Sequence, residues 1–78
     1  MVTDIKYAFE LRLPGCVPYH LRGVVEHLGE AGVGHYVSYV RSAHNHWYFC
    51  NDFAAPQRVG AEQVLRAQAF VLVYEASV

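Results

Sequence analysis

Hydrophobic and polar positions alternate along much of this chain, and the alternation predicts two half-buried β-strands in its first part. In residues 5–13 the large apolar side chains fall on every second position, which is the period of a strand with one face buried. Pro14-Gly15 ends this pattern, and it resumes from Tyr19 to His27 or Leu28. Strict alternation in the second strand places Leu21 on one face and Val24 on the other.

The second part predicts a hairpin, a short helix and a final strand. Residues 35–41 and 46–51 read as two antiparallel strands joined by the polar turn at residues 42–45. Residues 60–68 are rich in helix formers with apolar positions at helical spacing. Residues 69–75 form a nearly continuous apolar run, which predicts a strand covered on both faces and therefore central in a sheet. The predicted fold class is α+β, an antiparallel sheet with one short helix.

Length and composition limit the chain to one small globular unit. It has 78 residues, of which 54% are hydrophobic, and six Lys/Arg against seven Asp/Glu. This balance gives no basic patch for nucleic acid. No apolar run is long enough for a membrane-spanning helix, so we expect a cytoplasmic or nuclear protein. The two cysteines are too few for a disulfide framework, which favours a reduced chain.

The open end of the predicted hairpin carries the sharpest candidate chemistry. His35 begins the first strand, directly after a loop containing three glycines, and Asn51 and Asp52 end the second strand. A histidine with a short polar partner is half of a catalytic triad, because the partner holds one ring nitrogen and leaves the other free as a base. If paired residue numbers add to 86, His35 faces Asn51, and if they add to 87 it faces Asp52.

Each of these features also has a structural interpretation. His35 could be a structural histidine, and the two polar residues could close the strand as an Asx turn. The glycine loop suits either a lid over a bound peptide or a hairpin that needs positive φ angles. Four histidines and one cysteine also suggest a zinc site, although the usual ligand spacings are missing: His27, His35, His44, His46 and Cys50, of which His44 and His46 lie in the turn.

Four motifs in order resemble the C-terminal part of the catalytic domain of the ubiquitin-specific proteases, a family of cysteine deubiquitinases with a papain-like fold. The resemblance covers about residues 17–75, whereas residues 1–16 match poorly, so the chain reads as a single partial domain. The motifs are Tyr19-x-Leu21-x-Gly23-Val24-Val25-x-His27-x-Gly29; Gly34-His35-Tyr36-Val37-x-Tyr39-Val40-Arg41; Trp47-Tyr48-x-x-Asn51-Asp52; and Val64-Leu65-x-x-Gln68-Ala69-Phe70-x-Leu72-x-Tyr74-Glu75.

The resemblance implies a role for each residue at the hairpin's open end. His35 corresponds to the catalytic base and Asn51 to the third triad member, with Asp52 as the adjacent acidic residue that can assist. The glycine loop corresponds to a blocking loop over the ubiquitin C-terminal tail, and Gly34 and Tyr36 line the channel for the tail's terminal glycines. The implied reaction is hydrolysis of the isopeptide bond after ubiquitin's last glycine, without a metal or organic cofactor.

One part of the family's site has no counterpart in these 78 residues. The nucleophile box of the family, which resembles Gly-Asn-Thr-Cys-Tyr-Met-Asn, is not found in residues 1–78. We therefore expect this polypeptide alone to be inactive, and we expect an exposed apolar patch where the rest of the domain would pack. The expected partners are ubiquitin or a ubiquitinated protein, with the N-terminal half of the catalytic domain as a further candidate. The alternatives are a non-catalytic ubiquitin- or partner-binding module and a small zinc-binding β-domain.

Overall fold

One antiparallel sheet and one short helix make up the fold. The computed structural model describes residues 7–30, 32–52 and 54–77. Within these ranges the elements are β1 (Glu10–Leu11), β2 (Tyr19–Leu28), β3 (His35–Arg41), β4 (Trp47–Cys50), β5 (Gln57–Val59), α1 (Ala61–Arg66) and β6 (Ala69–Ala76). The strands follow the order β1-β2-β3-β4-β5, and β6 pairs with β2 along its other edge. The predicted α+β fold class is confirmed.

The first strand is much shorter than the alternation predicts. Only Glu10 and Leu11 pair with β2, and Ile5 lies outside the described residues. The residues before β1 contribute side chains to the core, because the Phe9 ring stacks on that of Trp47 at 5.9 Å between centroids. The Tyr7 hydroxyl lies within hydrogen-bond distance of two backbone carbonyls at the end of α1. Phe9 also contacts β2 through its backbone, because its carbonyl oxygen accepts a hydrogen bond from the Leu21 N–H at 2.8 Å. Core contacts of the Tyr7 and Phe9 side chains therefore add to a short pairing with β2.

A β-bulge in β2 changes which residues face the core. Leu21 pairs with Tyr74 and Gly23 pairs with Val73, so Arg22 is an extra residue that shifts the register by one. The shift puts Leu21 and Val24 on the same face, and both are completely buried. The strict alternation that separates these two residues is therefore wrong.

The core lies on the face of the sheet that α1 covers. Val64 is the buried residue of α1, and it joins a cluster that includes Leu21, Val24 and Trp47. The helix is shorter than residues 60–68, since the backbone N–H of Gln68 donates to the Glu26 carboxylate at 2.8 Å and the chain then enters β6. We call this side the core face.

The opposite side, which we call the open face, is largely apolar. Cross-strand pairing sets up two rows from β6 through β2 to β3: Val73, Gly23 and Val40; and Val71, Val25 and Ser38. A second register shift leaves Phe70 as an extra residue of β6, and its ring lies beside those of His27 and Tyr36, which pair across β2 and β3. Tyr48 and Cys50 of β4 extend the two rows. Among the described residues no helix packs on this side.

Strand β6 lies at an edge of the sheet, so the prediction of a central strand is wrong. It pairs with β2 alone among the described strands. Its apolar side chains remain exposed, with Phe70 at 65% and Val73 at 50% of their possible surface. The sequence of β6 is apolar enough for a strand buried on both faces, but in this fold only its core face is covered.

Candidate functional site

The glycine loop at residues 29–34 is a tight connection between β2 and β3. Gly29, Gly32 and Gly34 all have positive φ angles, of 110°, 79° and 122°. A Cβ on Gly34 would lie 2.0 Å from the carbonyl oxygen of Leu28, so the two strand ends touch through backbone atoms. Hairpin geometry therefore accounts for these glycines, and a role for the loop over a bound peptide stays a prediction.

His35 is the first residue of β3 and pairs with Leu28 across the hairpin. Strand alternation places its side chain on the core face with Val37 and Tyr39, which are buried, while His35 itself is exposed. The imidazole is therefore at the end of the sheet, beyond the last layer of the core.

The pairing of β3 with β4 differs from both registers that the sequence suggested. Ser38 pairs with Cys50 and Arg41 with Trp47, so paired residue numbers add to 88 rather than 86 or 87. Continued by one pair, this register sets Asn51 opposite Val37. Strand alternation then places Asn51 on the same face as His35, in a diagonal position.

Asn51 and Asp52 turn the chain away from the sheet directly after β4. The carbonyl oxygen of Asn51 accepts a hydrogen bond from the backbone N–H of Ala54 at 2.9 Å, and Asp52 has a φ angle of 45°. Asn51 is half-buried and Asp52 is exposed. In the described part of the chain no side-chain hydrogen bond joins His35 to Asn51. The fold brings the two residues to one end of one face and leaves their side chains unjoined.

Tyr36 points to the other face and belongs to a cluster of three rings. Its ring centroid lies 4.8 Å from that of His27 and 5.5 Å from that of Phe70. Tyr36 and Phe70 are more than half exposed. The sequence alone does not indicate this cluster, because His27 reads as a motif residue and zinc-ligand candidate and Phe70 as part of an apolar run. Only the β2–β3 and β2–β6 registers bring the three rings together.

Comparison with known families assigns the chain. The model of the ubiquitin carboxyl-terminal hydrolase family matches residues 3–74. The chain belongs to the ubiquitin carboxyl-terminal hydrolase family. This confirms the resemblance drawn from the four motifs, and the match also takes in most of residues 1–16.

Several curated ubiquitin carboxyl-terminal hydrolases are similar to most of the chain. Ubiquitin carboxyl-terminal hydrolase 1 of Arabidopsis thaliana is 39% identical over 73% of the chain, and that stretch is 6% of the relative. Ubiquitin carboxyl-terminal hydrolase 8 of Saccharomyces cerevisiae is 34% identical over 72% of the chain, or 12% of the relative. The chain thus spans only a small part of the curated relatives it matches.

Solved structures of the family share the fold. The structure of the SAGA Ubp8/Sgf11/Sus1/Sgf73 DUB module superposes on 100% of this chain and 19% of the longer one, with a TM-score of 0.90 and 25% identity. The same module bound to ubiquitin aldehyde covers 80% of this chain and 13% of that one, with a TM-score of 0.73 and 31% identity. The sheet and helix of this chain therefore recur within a much longer polypeptide.

The thiols of this hydrolase-family chain lie away from the His35 end of the core face. Cys16 is exposed in the loop after β1, and Cys50 pairs with Ser38, which places it on the open face, opposite to Asn51. Within residues 7–30, 32–52 and 54–77 no group of three or more His, Cys, Asp or Glu is arranged to hold a metal ion. His44 and His46 instead donate their backbone N–H groups to the Ser42 hydroxyl.

Within the described residues, no helix is both long enough and apolar enough to cross a membrane.

Proposed function

We propose that this chain supplies the base and its orienting group for the hydrolysis of bonds after ubiquitin's C-terminal glycine. His35 is the general base, Asn51 accepts a hydrogen bond from the other ring nitrogen, and Asp52 assists. Gly34 and Tyr36 bind the ubiquitin tail. The chain belongs to a hydrolase family, and the observation that carries the proposal is the placement of His35 and Asn51 at one end of the core face.

The chemistry requires a thiol that the described geometry does not bring to His35. The imidazole takes the proton from a cysteine thiol, and the thiolate attacks the carbonyl carbon of the terminal glycine. The imidazolium then returns the proton to the departing amine, and water hydrolyses the thioester. Cys16 and Cys50 both lie elsewhere on the sheet. The thiol and the donors that stabilise the oxyanion would therefore come from another polypeptide segment.

The first test uses the 78-residue polypeptide alone. We expect no covalent labelling by a ubiquitin probe that carries a thiol-reactive C-terminus, and no cleavage of a fluorogenic ubiquitin substrate. Labelling that disappears in Cys16→Ser or Cys50→Ser would show that the chain has its own nucleophile and would overturn the expected inactivity.

The second test measures the proposed catalytic roles in a chimera. The segment of the yeast hydrolase 8 that matches this chain is replaced by residues 17–75, and ubiquitin cleavage is measured. We expect His35→Ala to lower kcat/KM by about 10³-fold or more and Asn51→Ala by about 10²–10⁴-fold. His46→Ala is the matched control, since His46 lies by the β3–β4 turn at the other end of the hairpin. Equal activities for all three variants in a working chimera would refute the assignment.

The exposed ring cluster favours a second candidate function, a non-catalytic module that binds ubiquitin or another partner. Aromatic side chains are enriched where proteins bind one another. Titration of the chain with ubiquitin, followed by NMR, separates the candidates. The binding module is favoured if ubiquitin causes saturable chemical-shift changes at the Tyr36 ring while the chimera shows no His35-dependent cleavage.

A further inference from the structure

The last cross-strand pair before the glycine loop joins Leu28 to His35. Directly opposed residues of antiparallel strands point to the same face with their Cβ atoms about 4.5–5.5 Å apart, so the leucine side chain lies beside the imidazole. On the other side of His35 no described residue is its cross-strand partner, because the pairing of β3 with β4 begins at Ser38. Leu28 is therefore the immediate lateral neighbour of the proposed base.

Core packing does not account for Leu28. Strand alternation places it on the core face with Val24, which is completely buried, but the Leu28 side chain is 38% exposed. Among the described residues it belongs neither to the buried cluster nor to the partly buried side chains packed against that cluster. The neighbour that its position gives it is the imidazole of His35.

The two sides of this imidazole differ in chemistry. Leu28 on β2 presents only hydrocarbon, whereas Asn51, in the diagonal position after β4, presents a carboxamide. In the described part of the chain no hydrogen bond holds the His35 side chain. A ring nitrogen turned toward β2 would lose contact with water and gain no hydrogen bond, which is unfavourable. The arrangement therefore favours rotation of the ring toward β4.

We propose that Leu28 is a positioning residue for the proposed base. Its side chain occupies the space on the β2 side of His35 and limits the imidazole to orientations directed toward Asn51. A ring with fewer accessible rotamers loses less entropy when it forms the catalytic hydrogen bond. The inference rests on the proposed function, since it concerns how the base is oriented.

The contact itself is measured by NMR on the 78-residue chain. We expect nuclear Overhauser effects between the Leu28 methyl groups and the ring protons of His35, because the two residues pair directly. Their absence from the folded chain would overturn the inference without any measurement of catalysis.

The positioning effect is measured in the chimera that carries residues 17–75. We expect Leu28→Ala to lower kcat by about tenfold and to change KM by less than about twofold, because the leucine orients the base and does not bind substrate. Leu28→Met conserves most of the side-chain volume and should keep kcat within about threefold of wild type. Leu65→Ala is the matched control: it removes the same side chain at 39% exposure, on α1, and should leave kcat unchanged.

The outcomes separate this inference from the proposed function. Cleavage that falls in His35→Ala but not in Leu28→Ala overturns the positioning role and leaves the base assigned. Equal losses in Leu28→Ala and Leu65→Ala also overturn it, since they would report general destabilisation, and so does a loss confined to KM. A working chimera whose cleavage does not depend on His35 refutes the proposed function, and the positioning role with it.

Discussion

At the scale of single residues, backbone geometry explains Gly34 better than any ligand does. It has a φ angle of 122°, and its Cα hydrogen occupies the position where a side chain would meet the Leu28 carbonyl. The same contact brings the ends of β2 and β3 together directly before His35. The position of the proposed base therefore depends on the absence of a side chain one residue earlier.

Gly34→Ala should destabilise the β2–β3 hairpin strongly. The new methyl group would lie 2.0 Å from backbone, which cannot move aside as a flexible side chain can. We expect a loss of about 3 kcal/mol or more in the free energy of unfolding, measured by urea denaturation. Gly32→Ala in the same loop is the control, since its φ angle is 79° but no atom lies within 4 Å of the added Cβ. It should lose only about 1 kcal/mol, and equal losses would contradict this explanation.

Tyr7 is a half-buried residue whose hydroxyl connects the start of the described chain to helix α1. Its hydroxyl reaches the carbonyl oxygen of Ala67 at 2.9 Å and also that of Val64. Burial raises the pKa of the Tyr7 phenol above its usual 10.0, and the negative charge of Glu26 raises it further. The folded state therefore favours the neutral phenol.

This pKa shift predicts a loss of stability in alkali. The stabilisation is fully present below pH 10.0, the value of an unshifted phenol, and is lost as the pH rises through the raised pKa of the folded state. Tyr7→Phe should cost about 1 kcal/mol of unfolding free energy at pH 8. It should also flatten the fall in stability that occurs above pH 10.0. Circular dichroism during urea titration measures both effects. Tyr48→Phe is the comparison, and the same flattening in this variant would rule out Tyr7 as its source.

At the scale of secondary-structure elements, contacts with the rest of the fold decide both the extent and the role of each segment. Helix α1 has six residues and its N-cap, Gly60, makes no side-chain hydrogen bond. A helix this short is unstable by itself in water. Packing on the core face must therefore provide its stability.

Val64→Ala tests this dependence on packing. Val64 is fully buried, so its truncation removes apolar contacts and leaves a cavity between α1 and the sheet. We expect a loss of about 2–3 kcal/mol in the free energy of unfolding, measured by chemical denaturation. Leu65→Ala on the same helix is the control, because Leu65 is 39% exposed and should lose less than about 1 kcal/mol. A similar loss in both variants would mean that helix propensity, rather than core packing, is being measured.

At the scale of the whole molecule, exposed apolar side chains gather on one side of the sheet. On the open face Tyr36, Val40, Phe70, Val71 and Val73 are each at least 44% exposed. The expected exposed patch therefore has a defined location, on the side of the sheet away from α1.

The sequence by itself determined the family, the antiparallel strands and the short helix. These features depend on signals that are visible along the sequence: apolar periodicity, turn residues and the order of the motifs. The glycines also signalled a tight loop before His35, since positive φ angles are readily adopted by few other residues.

Only the tertiary structure decided the register, the faces and the edges. Pairing that adds to 88 put Asn51 diagonal to His35, and the bulge at Arg22 put Leu21 and Val24 on one face. The apolar sequence of β6 predicts a central strand, but β6 lies at an edge of the sheet. The sequence of a strand indicates that its faces can be buried, but it does not specify which neighbouring strands are present. A one-residue change in pairing alters every cross-strand contact at almost no cost to local propensity, so no local pattern in the sequence could fix it.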